Sequence, residues 1–248
     1  MIIIGNWKAY VESEKKAKQL VASAKRAAAS YTGVDVVLAP PVPYIGLFTT
    51  GNKSRVVFAS QDLSETTGHA ETGEISAALL ADLGVQYSIL GHSERRARGE
   101  SDALVSEKVR RALAQGITPI VCIGERERDP EAGYLYFVRE QIRSVMEPLS
   151  PKERAQIVLA YEPIWAIGKT ALEAVSPTDL TEMVMYIRKA LGDFMPRKAT
   201  NSMRIVYGGS VDATNAKVLA TGTGIQGFLI GHASAEVKEF SAIIRAVS

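Results

Sequence analysis

Eight times along the 248 residues, a short run of β-branched and apolar side chains ends in polar or glycine-rich residues. Each run then gives way to a stretch with helical spacing or helix-favouring composition. The runs are IIIGNWK (2–8), VDVVLAP (34–40), VVFASQD (56–62), YSILGHS (87–93), TPIVCIG (118–124), IVLAYEP (157–163), RIVYGGS (204–210) and GFLIGHA (227–233). Strands hydrophobic almost throughout are buried on both faces, the condition of a parallel sheet covered by helices. Strict alternation with helices implies βαβ units with right-handed crossovers. Eight such units within about 250 residues favour an α/β chain closed into a (β/α)8 barrel over an open doubly wound sheet. Helices are expected over 12–29, 101–115, 132–146 and 177–191; the last has Ser176 as N-cap, Pro177 in its first turn and Asp179 at its third position. No linker or low-complexity segment divides the chain, so residues 1–248 are expected to form one domain.

The totals exclude several classes of function. Twenty-nine basic against 27 acidic side chains leave a net charge of +2, so neither nucleic acid nor an anionic membrane surface is an expected partner. Cys122 is the one cysteine, so no intrachain disulfide forms, and a reducing cytosol is the natural compartment. The three histidines, His69, His92 and His232, are too scattered for a Cys/His zinc site. No basic leader with a cleavage pattern opens the chain, and no apolar run approaches the roughly 20 residues of a membrane helix.

In a barrel of this kind, side chains converge at the C-terminal ends of the strands. The first run ends with Asn6 and Lys8, the fourth with His92 followed by Glu94, and the sixth with Glu162. The last two end with Gly208, Gly209, Ser210, Gly231 and His232. Lys8 is a fixed positive charge, and glycine-rich turns after the last two strands can present N–H groups to an anion; together they suit a phosphate ester. Pro163 holds the chain extended after Glu162 and aims that carboxylate into the mouth as a general base. His92 precedes SERRARGE, which can start a short helix whose N-terminus leaves a neutral imidazole as hydrogen-bond donor. One base and one neutral donor suit enolisation. Taken singly, a strand-end Glu, Lys or His is more often an ion-pair partner or rim residue, and paired glycines are usually turns; the convergence carries the reading.

Four other motifs fail on context. Gly222, Gly224 and Gly227 match GxGxxG but lead into a strand, and Gly168, Lys169 and Thr170 resemble the end of a Walker motif but have Pro163 where its first glycine belongs. Arg95 replaces the second glycine of a nucleophile elbow around His92, and the sequon at 52–54 has no secretory route to use it. Another phosphate-binding barrel, such as a lyase of amino-acid biosynthesis, would share the last two glycine turns but not the set Asn6, Lys8, His92 and Glu162. A barrel kept only as a binding scaffold would have lost a catalytic group.

The segments GNWK (5–8), TGEIS (72–76), ILGHSERR (89–96), CIGE (122–125), AYEPIWAIG (160–168) and YGGSV (207–211) resemble the triosephosphate isomerase family in order and spacing, from the first strand to the last. The resemblance implies an aldose–ketose isomerase acting on a triose phosphate without cofactor or metal. Glu162 would shuttle the proton, His92 polarise the carbonyl, and Lys8 offset the developing charge. Asn6 would orient substrate oxygens and Glu94 support the site. Gly168, Ser210, Gly231 and the N–H of His232 would hold the phosphate. The segment from Pro163 would be a lid with Trp165 at its first hinge. The resemblance also implies a cytoplasmic homodimer in which Thr72, Gly73 and Glu74 enter the neighbouring subunit.

This chain departs from the family at several places. Its lid reads AIGKTALEAVSP, with Lys169 and Thr170 where the family has a threonine and a second glycine. Lys169 is expected to be solvated and not on the phosphate. His232 replaces a glycine, and its Cβ crowds the phosphate if the backbone there needs a glycine-only conformation. Tyr10 replaces a small polar residue, and His69 and Glu71 alter the third loop. After Arg96 the chain is one residue short. These changes bear on dimer affinity and lid closure more than on the reaction.

Overall fold

A computed structural model describes residues 1–66, 70–168 and 175–248. Eight strands form a closed parallel barrel: β1 (Ile2–Asn6), β2 (Asp35–Ala39), β3 (Val57–Ser60), β4 (Tyr87–Leu90), β5 (Thr118–Ile123), β6 (Val158–Tyr161), β7 (Arg204–Tyr207) and β8 (Gly227–Ile230). Closure is made by β1 against β8, with Ile3 opposite Phe228 and Ile4 opposite Leu229. All eight runs become strands, each shorter than its run in the sequence, because the polar residues at their ends leave the ladder to form the mouth.

The helices among the described residues are α1 (Glu14–Ser30), α2 (Val42–Thr49), α3 (Ala77–Asp82), α4 (Ser93–Arg96), α5 (Asp102–Ala114), α6 (Gly133–Met146), α7 (Pro151–Arg154), α8 (Pro177–Leu191), α9 (Arg197–Ser202), α10 (Ala216–Ala220) and α11 (Val237–Ala246). Three of the four expected helices start on a serine whose hydroxyl accepts an orphan N–H: Ser13 from Lys16, Ser101 from Leu104 and Ser176 from Asp179. The fourth, α6, has no capping side chain at Ala132; the Asp129 carboxylate accepts the N–H groups of Gly133 and Tyr134 instead, at 2.8 and 2.9 Å.

Strand side chains alternate between two apolar layers. Ile2, Ile4, Val37, Ala59, Ile89, Ile120, Cys122, Val158, Val206 and Leu229 pack with one another inside the barrel. Ile3, Val36, Leu38, Phe58, Leu90, Val121, Leu159, Ile205 and Phe228 belong to the layer beneath the helices. Two glycines are fixed by strand approach: a Cβ on Gly227 would lie 1.8 Å from the Ile2 carbonyl oxygen, and one on Gly124 would lie 1.9 Å from that of Glu162. The second holds β5 close to β6 where Glu162 leaves the sheet.

Candidate active site

Asn6 ends β1, and its Oδ1 accepts the Lys8 N–H at 3.1 Å. Lys8 adopts φ +46°, one of two non-glycine residues in the left-handed region among those described. Gln61, just past β3, secures this turn: its Nε2 donates to the carbonyl oxygens of Lys8 at 2.9 Å and Ala39 at 3.0 Å. Lys8 Nζ meets Glu94 Oε1 at 2.7 Å. Partial burial pushes the Glu94 carboxyl up, but the hydrogen bond and charge of Lys8 outweigh it and hold the group below the usual carboxylate range.

His92 is buried between β4 and α4. Its Nδ1 accepts the Glu94 N–H at 3.2 Å, so the ring proton of the neutral imidazole sits on Nε2, which lies 3.3 Å from Glu162 Oε1. Gly91 before it has φ +70°, and a Cβ there would approach Arg96 and Val105 to within 3.1 Å. Arg96 braces the turn, donating to the carbonyls of Gly91 at 2.7 Å and Cys122 at 3.3 Å, and pairs with Asp102 at 2.5 Å.

Glu162 leaves β6 with its N–H on the Ile123 carbonyl and its side chain 3% exposed. Oε2 accepts the Ser93 N–H at 3.1 Å. Beneath it lies the buried Cys122 thiol, pushed well up by burial and by the Glu162 carboxylate. The paired glycines after β7 do more than turn the chain. A Cβ on Gly208 would sit 2.7 Å from Glu162 Cγ, and one on Gly209 would sit 2.2 Å from the Tyr207 hydroxyl. Gly208 is therefore the gap in which Glu162 lies.

One cavity of about 660 Å³ at this rim is lined by Asn6, Lys8, His92, Glu162, Gly168, Ser210, Gly231 and His232. Eight of the nine site residues read from the sequence thus share one space. The ninth, Glu94, lines an adjoining cavity of about 540 Å³ together with Asn6, Lys8, His92, Gly73 and Glu74. Thr72, Gly73 and Glu74 form an exposed turn. His232 has no positive φ, so the condition under which its Cβ would crowd the phosphate, a glycine-only backbone, is not met. Ser210 Oγ donates to the Ala166 carbonyl at 3.0 Å, tying the β7 turn to the start of the segment after β6. Lys169, Thr170 and His69 lie outside the described residues.

Three features at the site carried no role in the sequence reading. Gln61 stood at a strand end, but nothing marked it as a carbonyl clamp. Glu125 accepts three donors on one oxygen: the Tyr161 hydroxyl and Trp165 Nε1, each at 2.9 Å, and Arg128 Nε at 3.3 Å. Arg128 lies over the Trp165 ring at 5.1 Å and pairs with Asp179 at the start of α8, at 3.2 Å. Finally, Lys108 of α5, 2% exposed, meets both oxygens of Asp62 at 2.9 Å and Glu100 at 2.5 Å, with Arg95 on Asp62 at 2.6 Å. Burial raises the Asp62 carboxyl despite these cations. No group of His, Cys, Asp and Glu among the described residues could hold a metal ion.

Fold and site together define an enzyme of the (β/α)8 barrel class with a carboxylate, an imidazole and an ammonium group at the C-terminal mouth. The pattern of the family described as Triosephosphate isomerase matches residues 1–247. Similar proteins include the triosephosphate isomerases of Carboxydothermus hydrogenoformans, 38% identical over 98% of this chain and 97% of its own length, and Thermus thermophilus, 38% identical over 99% and 98%. That of Rhodopirellula baltica is 39% identical over 99% and 97%. The chain belongs to the triosephosphate isomerase family, a family of isomerases.

Proposed function

We propose that the chain interconverts dihydroxyacetone phosphate and D-glyceraldehyde 3-phosphate through an enediolate, with Glu162 as base and neutral His92 as electrophile. The observation that carries this reading is the 3.3 Å approach of His92 Nε2 to Glu162 Oε1 in the cavity that Lys8 also lines. Glu162 takes a proton from C1 of the ketone, and the electron pair moves onto the C2 oxygen. The His92 Nε2–H donates to that oxygen, and the Lys8 charge offsets the developing anion. The proton of the O1 hydroxyl passes to O2 by way of the His92 imidazole, and return of the carbon-bound proton to C2 as O1 becomes the carbonyl completes an isomerisation with no net oxidation, so the step needs no cofactor. In the present arrangement Glu162 Oε2 accepts the Ser93 N–H at 3.1 Å, a donor that this oxygen leaves when the carboxylate reaches for a substrate carbon.

Asn6 orients substrate oxygens, Glu94 holds Lys8, and the N–H groups around Gly168, Ser210, Gly231 and His232 take the phosphate. The whole chain works as one barrel domain in the cytoplasm, with no nucleic acid or membrane partner; no helix among the described residues is long and apolar enough to cross a membrane. Two copies assemble by placing the exposed turn at Thr72, Gly73 and Glu74 beside the partner's Lys8 and the partner's His92. A coupled assay converting dihydroxyacetone phosphate to glyceraldehyde 3-phosphate with purified protein tests the reading: turnover supports it, and its absence in folded protein overturns it.

A further inference from the structure

We propose that the imidazole of His232 is a further ligand for the substrate phosphate and makes anion binding pH-dependent. This rests on the phosphate reading above, which uses only the backbone N–H of the residue. His232 lies immediately after β8, and its exposed side chain lines the same cavity as Lys8, Ser210 and Gly231. An exposed histidine on this rim is not explained by core packing. Its ring is seated: Tyr10, also lining the cavity, meets it edge-on with centroids 5.1 Å apart and planes at 85°. Tyr10 follows β1 and is 47% exposed, so this contact joins the β1 and β8 loops in the cavity wall.

Such a contact restricts imidazole rotamers before any anion arrives, which lowers the ordering cost of binding. The lysine and the imidazole line the same cavity. A Cβ built on Gly231 would meet Lys8 Cε at 3.4 Å in ordinary contact, so the lysine chain passes beside the residue before His232. The ionisable groups that line the cavity with His232 are Lys8, Tyr10, His92, Glu162, Asp212, Glu236 and Glu239, and Glu236 is tied to Lys16 at 3.1 Å. An imidazole gains charge on going from pH 8 to 6, and its N–H then makes a charge-assisted hydrogen bond to a dianion.

Sulfate is the probe, because it keeps its two charges across this range while a phosphate ester does not. Its affinity is read from the shift of melting temperature with concentration at pH 6 and pH 8, a readout independent of turnover. The native protein is expected to bind sulfate about tenfold more tightly at pH 6 than at pH 8. His232→Gly and His232→Asn should each bind about tenfold more weakly at pH 6 and lose most of the difference between the two pH values. Because His92 shares the cavity, the comparison between proteins is what counts. Tyr10→Ser should fall between them. Variants that keep the native pH profile, or bind sulfate more tightly because the side chain obstructs the cradle, would overturn the proposal. Absence of isomerase turnover in the native protein, with the sulfate profile intact, would overturn the isomerase reading and leave the anion ligand standing.

Discussion

Gly208→Ala is the sharpest probe of how the backbone places the proposed base, Glu162. The added methyl would sit 2.7 Å from Glu162 Cγ. Carbon atoms prefer about 3.5–4.0 Å, so the side chain must retreat by about 0.8–1.3 Å. Gly208 has no positive φ, so alanine meets no backbone penalty and the contact is the whole perturbation. Glu162 cannot retreat freely, because it is 2% exposed and held by the Ser93 N–H at 3.1 Å and by His92 at 3.3 Å. Overpacking of this kind costs about 1–3 kcal/mol of stability. A displacement of about 1 Å at a reacting group costs about a hundredfold in rate. The coupled assay on folded Gly208→Ala should therefore show kcat reduced about a hundredfold, while the melting temperature falls only about 2–12 °C. A variant with kcat within twofold of the native enzyme would refute the claim that this glycine makes room for the base.

Three other outcomes are expected. Lys108→Met leaves the half-buried Asp62 and the buried Glu100 with only Arg95 as compensation; it should cost about 3 kcal/mol, lowering the melting temperature by roughly 6–12 °C in a thermal scan. The Glu94 carboxyl is held below its ordinary value of 4.5 in the folded chain, so its contribution to stability is present above that pH and lost as pH falls through the depressed value. Lys8→Met should therefore flatten the loss of melting temperature between pH 6 and 3.5 relative to the native protein. Gly73, at φ +92°, cannot be replaced by proline without remaking the turn; Gly73→Pro should shift sedimentation toward the monomer while leaving the barrel folded.

The barrel was legible because strands buried on both faces must be apolar nearly throughout, and because Ser13, Ser101 and Ser176 mark helix starts with their own hydroxyls. Strand ends were overestimated: Gly91, His92 and Ser93 continue the fourth run in sequence but lie beyond β4, bound to Arg96 and Glu162. The candidate site was legible where ionisable residues recur at the ends of several strands, as with Lys8, His92 and Glu162. It was opaque where function depends on a pairing across the chain. Nothing near Gln61 points to the Lys8 carbonyl 53 residues away, and nothing near Lys108 points to Asp62, 46 residues away. Likewise Gly208 reads as a turn residue until the Glu162 side chain is seen in the space it leaves.

The identity of the base is tested most directly by kcat of Glu162→Asp with saturating dihydroxyacetone phosphate, since the change keeps the charge and withdraws it by one methylene. Turnover lower by about a hundredfold or more, with KM little changed, is the predicted result. Turnover equal to that of the native protein would mean that another group removes the proton.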